Sequence, residues 1–358
     1  MRKPKVILIQ ETLQNYRVPI YKLMQKELDL TLAYTVRNEI NDSDLEVIQL
    51  PYFKIGPFYV HKRLYRILNQ YEVVISLPHL RAVRICLLQW LPRKFKLVTW
   101  TIGKHANYNT PFDLSKRPSL LDRIFETIQD GADACIFYMQ ETIDYWTRYK
   151  KIDVRKYFEA HNTVAVADFG TLPSYESRDS FLFVGSLYAQ KGIGELIEAY
   201  CMAKEKNRNL PRLNIVGKGE EKEAIELQIQ KAGLAEDICL CGAIYDEEIL
   251  KEYFLKALLC ISPKQAGLTV LKSLGYGCPF VTRPDAITGG ERDNVKDGEN
   301  GLFFNTVEEL SEILLDVMRS KTKYAKMSVR ARDYYTNHCS PELMAEGALS
   351  AVRYVLNN

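Results

Sequence analysis

The sequence predicts an α/β protein of two doubly wound, Rossmann-like domains, and three observations predict it. Short β-branched runs alternate with helical patterns from the first residues; the alternation fails once, around residues 162–180, and then restarts. A chain of 358 residues is also too long for one comfortable core and suits two domains of ordinary size. Strands that alternate with helices form parallel sheets covered on both faces.

The first half runs from "KVILI" through an amphipathic stretch, Arg17 to Glu27, to strands in "LTLAYTV", "EVVISL", "KLVTWTI" and "ACIFYM". These make a first domain, residues 1–165. In "NTVAVADFGTLPSYESRDS" periodicity is lost and Pro, Gly, Ser and Asp accumulate, which marks a linker at 166–179. A second domain, 180–336, follows with "FLFVG", a helix from Gly194 to Lys206, "RLNIVG", a helix through Glu220 to Ala232, "DICLCG", a helix from Asp246, "ALLCIS", a turn and helix in "ISPKQAGLTVLKSLGYGCPF", and "PFVTR". Residues 306–357 read as nearly all helix with a weak break at "NHCSPE". Ser340-Pro341 with Glu342 marks the start of a terminal helix within 337–358.

Composition narrows the class. Hydrophobic content of 47% with 26% charged residues, no run of eighteen apolar residues and no cleavable leader predict a cytoplasmic globular protein. None of the eight cysteines forms a CxxC pair, so free thiols are expected; Cys239 and Cys241 are expected to point to opposite faces of a strand. Residues 1–165 hold 25 Lys+Arg against 17 Asp+Glu, a net +8 that leaves −5 for the rest, and a basic front half suits an anionic partner. Its sharpest stretch is "HLRAVRICLLQWLPRKFK", residues 79–96. It reads either as an interfacial helix docking on an anionic membrane surface, peripheral on the inner face, or as a core helix with basic ends.

In open parallel sheets, ligands bind outside the carboxyl ends of the strands, so the loops after strands are where chemistry is sought. Lys191 precedes Gly192 at a helix start, where ammonium, amides and dipole all favour a diphosphate. Gly217 and Gly219 follow a strand, either as a tight turn or as a backbone wall beside a nucleotide.

Five motifs, "FLFVGSLYAQKGIGELIEAY", "LNIVGKGEE", "ICLCGAI", "GLTVLKSLGYGCP" and "VKDGENGLFF", occur in the order seen in the donor-binding half of glycosyltransferase family 4, and the chain resembles that family over residues 180–305. The resemblance implies the GT-B fold: two Rossmann-like domains facing a cleft, with the terminal helix crossing back to the N-terminal domain. It implies a retaining, metal-independent transferase that moves a sugar from a UDP- or GDP-type donor to a saccharide or lipid-linked acceptor, in cell-surface polysaccharide or lipopolysaccharide assembly. It also implies that Gly185, Ser186, Lys191, Gly217, Lys218, Gly219, Ile244, Lys264, Gln265, Ala266, Gly267, Leu268, Thr269 and Lys272 border the donor. His105, Lys191 and Glu291 are the catalytic candidates, and Tyr16 and Arg17 face the acceptor or a phosphate.

Three positions depart from the family. Lys264 and Lys272 stand where it usually carries two glutamates, which contact sugar hydroxyls and ribose, and Ser186 stands where an arginine is usual. Ammonium donates hydrogen bonds but accepts none. Lys264 therefore reads an acidic sugar, or a carboxylate such as Glu291 comes from elsewhere, or catalysis is lost and the protein is a nucleotide-sugar sensor or partner subunit. A sugar-nucleotide epimerase on the same fold is the further alternative. No metal is expected: Asp42 and Asp44 in "NDSDLE" have DxD spacing but read as a charged turn before a strand.

Overall fold

The computed structural model describes residues 2–104, 112–150 and 153–358. The chain divides into two compact units, residues 1–164 with 339–358, and residues 165–338.

The first unit is built on a seven-stranded parallel sheet. Its strands are β1 (Lys5–Leu13), β2 (Asp29–Asn38), β3 (Glu46–Gln49), β6 (Val73–Ser76), β7 (Lys96–Thr101), β8 (Ala134–Phe137) and β9 (Tyr157–Glu159), in the order β3-β2-β1-β6-β7-β8-β9. A small antiparallel hairpin, β4 (Tyr52–Ile55) and β5 (Phe58–His61), stands apart. The helices are α1 (Val18–Gln25), α2 (Leu64–Leu68), α3 (Val83–Cys86), α4 (Leu120–Asp130) and α5 (Gln140–Tyr149). Central β1 is a continuous apolar run because both its faces are buried. Period-two alternation sends Val6 and Leu8 to the face that α1 covers, and Ile7 and Ile9 to the face holding Leu64, Leu68 and Trp146.

The second unit repeats the plan with six parallel strands, β10 (Ser180–Val184), β11 (Arg212–Val216), β12 (Ile238–Gly242), β13 (Ala257–Ile261), β14 (Phe280–Thr282) and β15 (Gly301–Phe303). Their order is β12-β11-β10-β13-β14-β15, so the winding direction reverses between β10 and β13. Its helices are α6 (Ile193–Lys206), α7 (Lys222–Lys231), α8 (Glu247–Lys256), α9 (Thr269–Gly275), α10 (Val307–Arg319) and α11 (Lys321–His338). Asp246 caps α8 by accepting from the amides of Glu248 and Ile249, which fixes where that helix begins. Residues 166–179 lie on this unit: Tyr175 donates to the Leu258 carbonyl, and buried Arg178 donates to the carbonyls of Ala257 and Gly277.

The last helix, α12 (Pro341–Asn357), starts at Ser340, whose hydroxyl accepts from Leu343 N, and it belongs to the first unit. Met344, Ala345, Ala348, Ala351 and Val352 join the core beneath α1. Gly347 permits the close approach, since a Cβ there would lie 1.9 Å from the Glu159 carbonyl oxygen. No helix among the described residues is long and apolar enough to cross a membrane.

Two expectations are corrected. Residues 79–96 do not form one helix: α3 is a single turn, followed by a 3-10 turn at Leu88–Trp90. Pro92 has no N–H for the Leu88 carbonyl, and Arg93 takes the carbonyls of Leu88 and Gln89 instead. Cys239 and Cys241 share a face, with sulfurs 3.4 Å apart, because residues two apart on a strand point the same way. All eight cysteines are free thiols.

Candidate functional site

The reversal between β10 and β13 is where an open α/β sheet leaves a crevice at its carboxyl edge. Two loops border it, 185–192 after β10 and 262–268 after β13. Lys191 folds back along the first of them, its ammonium 3.5 Å from where a Cβ on Gly185 would stand. Burial depresses its pKa, and no side chain among the described residues pairs with it. An ammonium held out of water without a counter-charge is costly, and an arriving anion removes that cost.

Gly217 and Gly219 have a packing role here. A Cβ on Gly217 would lie 1.8 Å from the Gly185 carbonyl oxygen, and one on Gly219 would lie 2.3 Å from the Leu187 carbonyl oxygen. Leu187 N donates to the Lys218 carbonyl at 2.9 Å, so the two strand-end loops are bonded to each other, and only glycine lets them close. Lys218 is exposed, with its ammonium 5.4 Å from the ring centroid of Tyr245, which is itself 78% exposed. Ile244 is half-buried beside it, and Ser186 is exposed.

The second loop is fixed from both sides. Lys264 N donates to the Lys191 carbonyl and Ala266 N to the Ile287 carbonyl, while Gln265 bridges to Ile287 and its carbonyl accepts from the Ser262 hydroxyl. A Cβ on Gly267 would meet nothing within 4 Å, Leu268 caps the seven-residue α9, and the Thr269 hydroxyl donates to the Val184 carbonyl at 3.3 Å. Gly185, Lys191 and Thr269 are thus brought together.

Neither unexpected lysine is a bare cation. Lys264 Nζ lies 2.5 Å from Glu195 Oε1, and Arg283 holds Oε2 of the same carboxylate at 2.8 Å. Burial pushes the Glu195 pKa up, but the hydrogen bonds from Lys264 and Arg283 outweigh it and hold the group below the usual glutamate value. Lys272 Nζ lies 2.5 Å from Glu247 Oε2, and the Tyr276 hydroxyl donates to Glu247 Oε1 at 2.6 Å. Each lysine therefore brings to its place a glutamate from the first turn of another helix, α6 or α8. Linear reading missed both glutamates; the only signal was that each lies just after a loop leaving a strand.

Other candidates fall elsewhere. Glu291 folds onto its own loop, where Oε2 accepts from Gly289 N at 2.9 Å and from the Thr288 hydroxyl at 3.3 Å, so it does not reach out as a free carboxylate. His105 lies outside the described residues. Arg17 is buried inside the first unit rather than facing an acceptor: its guanidinium donates to Tyr16, Tyr138 and Asn162, with the Tyr16 ring 5.4 Å away. Asp42 and Asp44 pair with Lys22 at 2.7 and 3.6 Å. Among the described residues no group of three or more His, Cys, Asp or Glu could hold a metal ion.

The first unit has its own cavity, about 680 Å³, at the carboxyl ends of β1, β6 and β7. Trp100, Tyr138 and Phe125 give it aromatic walls, and Glu11, His79 and Arg81 provide polar groups. His79 Nδ1 lies 3.2 Å from Glu11 Oε2, and the Tyr59 hydroxyl donates to Glu11 Oε1 at 3.3 Å. Sequence reading named neighbours of this pair but not the pair, although both residues sit at strand ends.

Residues 167–334 match the family described as Glycosyl transferases group 1, and the second unit carries that domain. An alpha-monoglucosyldiacylglycerol synthase of Acholeplasma laidlawii is 26% identical over 171 residues, 44% of this chain and 41% of that protein. A poly(glycerol-phosphate) alpha-glucosyltransferase of Bacillus subtilis is 24% identical over 225 residues, 61% of this chain and 32% of that protein. The chain thus spans less than half the length of either relative. Among solved structures, HepE of Anabaena in complex with UDP superposes with a TM-score of 0.72 at 13% identity, covering 98% of this chain and 99% of that one. The two Rossmann-like halves are those of the GT-B fold.

Proposed function

We propose that this chain, with its glycosyl transferases group 1 domain, is a retaining, metal-independent glycosyltransferase. It takes the sugar from a UDP-type donor held by the second unit and passes it to a saccharide or lipid-linked acceptor held by the first. The observation that carries the reading is the partly buried Lys191 ammonium, unpaired among the described residues, beside Gly185 at the reversal of the sheet. A diphosphate is the anion that suits it, and HepE, which shares the fold, has been seen with UDP and with UDP-glucose.

The chemistry follows from where charge develops. As the bond from the anomeric carbon to the diphosphate breaks, negative charge grows on the departing phosphate oxygen, and a cation already in place stabilises it without reorganisation. The acceptor hydroxyl attacks from the face the diphosphate leaves, gives its proton to that phosphate, and the anomeric configuration is kept. No protein nucleophile is required. Glu195, fixed by Lys264 and Arg283 beside the 262–268 loop, supplies a hydrogen-bond acceptor for sugar hydroxyls that lysine lacks. A neutral hexose therefore suits the site better than an acidic sugar.

The aromatic walls and the Glu11–His79 pair suit a sugar or polyol acceptor in the first unit's cavity, since flat rings cover C–H faces and the carboxylate accepts from hydroxyls. An anionic membrane surface remains part of the proposal: Leu87, Trp90 and Leu91 are exposed among the basic residues of 79–96. Vesicle co-sedimentation tests it, with retention expected on phosphatidylglycerol and not on phosphatidylcholine. Binding of UDP, GDP and their glucose conjugates by calorimetry tests the donor assignment. A UDP compound is expected to bind best; the absence of binding by any of them overturns the reading.

A further inference from the structure

We propose that Glu247 reads the ribose diol of the bound nucleotide, and that Lys272 and Tyr276 act by positioning it; the inference rests on the donor site proposed above. Three observations place Glu247 there. It opens α8 directly after the loop leaving β12, at the same carboxyl edge as Lys191. Thr269 bonds the end of β10 next to Gly185, and Lys272 follows one turn along the same face of α9. The ammonium of Lys272 then grips Glu247. A single connected path therefore runs from the diphosphate cation to a carboxylate, and a nucleoside diphosphate presents the complementary sequence of groups: phosphates, then a vicinal diol.

The chemistry of the carboxylate fits that diol. Each Glu247 oxygen accepts one bond from the protein, Oε2 from Lys272 at 2.5 Å and Oε1 from the Tyr276 hydroxyl at 2.6 Å. A carboxylate has about four lone-pair sites, so one remains on each oxygen, in the fork that two adjacent hydroxyls fill. The Glu247 side chain is 36% exposed and so open to a ligand, whereas Lys272 at 17% is enclosed behind it. Tyr276 is rigid: its ring stacks on Phe254 with centroids 5.3 Å apart, and its oxygen accepts from Ala167 N at 2.9 Å. Tyr245, two residues before Glu247 and 78% exposed, offers a face on which the base can stack.

A purely structural role, tying α8 to α9, makes a different prediction, because it has no reason to distinguish ribose from deoxyribose. The experiment is calorimetric titration of the full chain with UDP and with 2′-deoxy-UDP, and with the guanine pair as a second set. The wild-type protein is expected to bind UDP about tenfold more tightly than 2′-deoxy-UDP. Glu247→Gln is expected to lower UDP affinity to that of the deoxy compound while leaving the latter within about twofold. Lys272→Met is expected to lose part of the discrimination, with its remaining affinity for 2′-deoxy-UDP intact. Equal loss for both nucleotides in Glu247→Gln, or a tenfold preference that survives it, overturns the inference and leaves the donor site standing. No binding of any nucleoside diphosphate to the wild-type protein overturns the donor site itself.

Discussion

Lys264 and Glu195 form an ion pair with 2.5 Å between Nζ and Oε1, and Arg283 completes it on the second carboxylate oxygen. Two cations share one carboxylate, so removing the carboxylate leaves them facing each other. Glu195→Ala is expected to destabilise the protein by about 1–3 kcal/mol, the cost of leaving partly enclosed charged groups without their partner. The folded-state pKa of Glu195 is lowered, so its contribution is fully present above the ordinary glutamate pKa of about 4.3 and is lost as pH falls through the lower folded value. Urea unfolding of the wild type and Glu195→Gln from pH 6 to pH 3 checks this: the gap between them should close toward the acid end, and a constant gap contradicts it.

Lys191 carries the opposite prediction, in which stability and binding part ways. Lys191→Met removes a partly buried ammonium that has no partner among the described residues, so the ligand-free protein is expected to gain about 1 kcal/mol. The thermal shift produced by saturating UDP should vanish in the same variant. A variant that is less stable yet still responds to UDP shows that Lys191 is a packing residue.

Gly217 is held to glycine by the neighbouring loop and not by its own dihedral angles. Gly217→Ala places a methyl on the Gly185 carbonyl oxygen and is expected to cost about 1–3 kcal/mol and to weaken UDP binding, because the 185–192 loop must move to admit it. Denaturant midpoints and UDP affinity measured together check the coupling; a stable variant with normal affinity means the loops are not braced against each other.

Glu11 lies in the first unit, in the cavity proposed to take the acceptor. Glu11→Gln is expected to raise the acceptor KM about tenfold, the cost of a charge-assisted hydrogen bond, and to leave UDP affinity unchanged. Loss of UDP binding in this variant contradicts the assignment of the cavity.

The sheets were legible because their signal is local and repeated. The run at β1 and the alternation of strands with helices require no knowledge of distant contacts, and the loops that could bind a ligand follow from the strand ends. Lys191 and the Gly267 turn lie in two of those loops, and their positions there are legible without knowledge of what they bind. What Lys264 and Lys272 do was not legible, since their partners come from the starts of α6 and α8 and are set by how those helices dock beside α9. The stretch at 79–96 misled because its apolar residues suggest one helix, whereas α3 stops after a single turn and the 3-10 turn that follows is closed at Pro92, with Arg93 taking the Leu88 and Gln89 carbonyls. Glu291 attracted attention as a carboxylate on a Gly-Gly loop, but that loop's own amide and hydroxyl donors claim it.

Whether the second unit activates a nucleotide sugar for transfer is read from slow release of UDP from UDP-glucose by the purified chain, without added metal and with a chelator present. Release is expected at a rate well above the uncatalysed one, accelerated by a saccharide or lipid-linked polyol acceptor and abolished in Lys191→Met. Tight binding of UDP-glucose with no turnover under any acceptor contradicts it and makes the protein a nucleotide-sugar sensor.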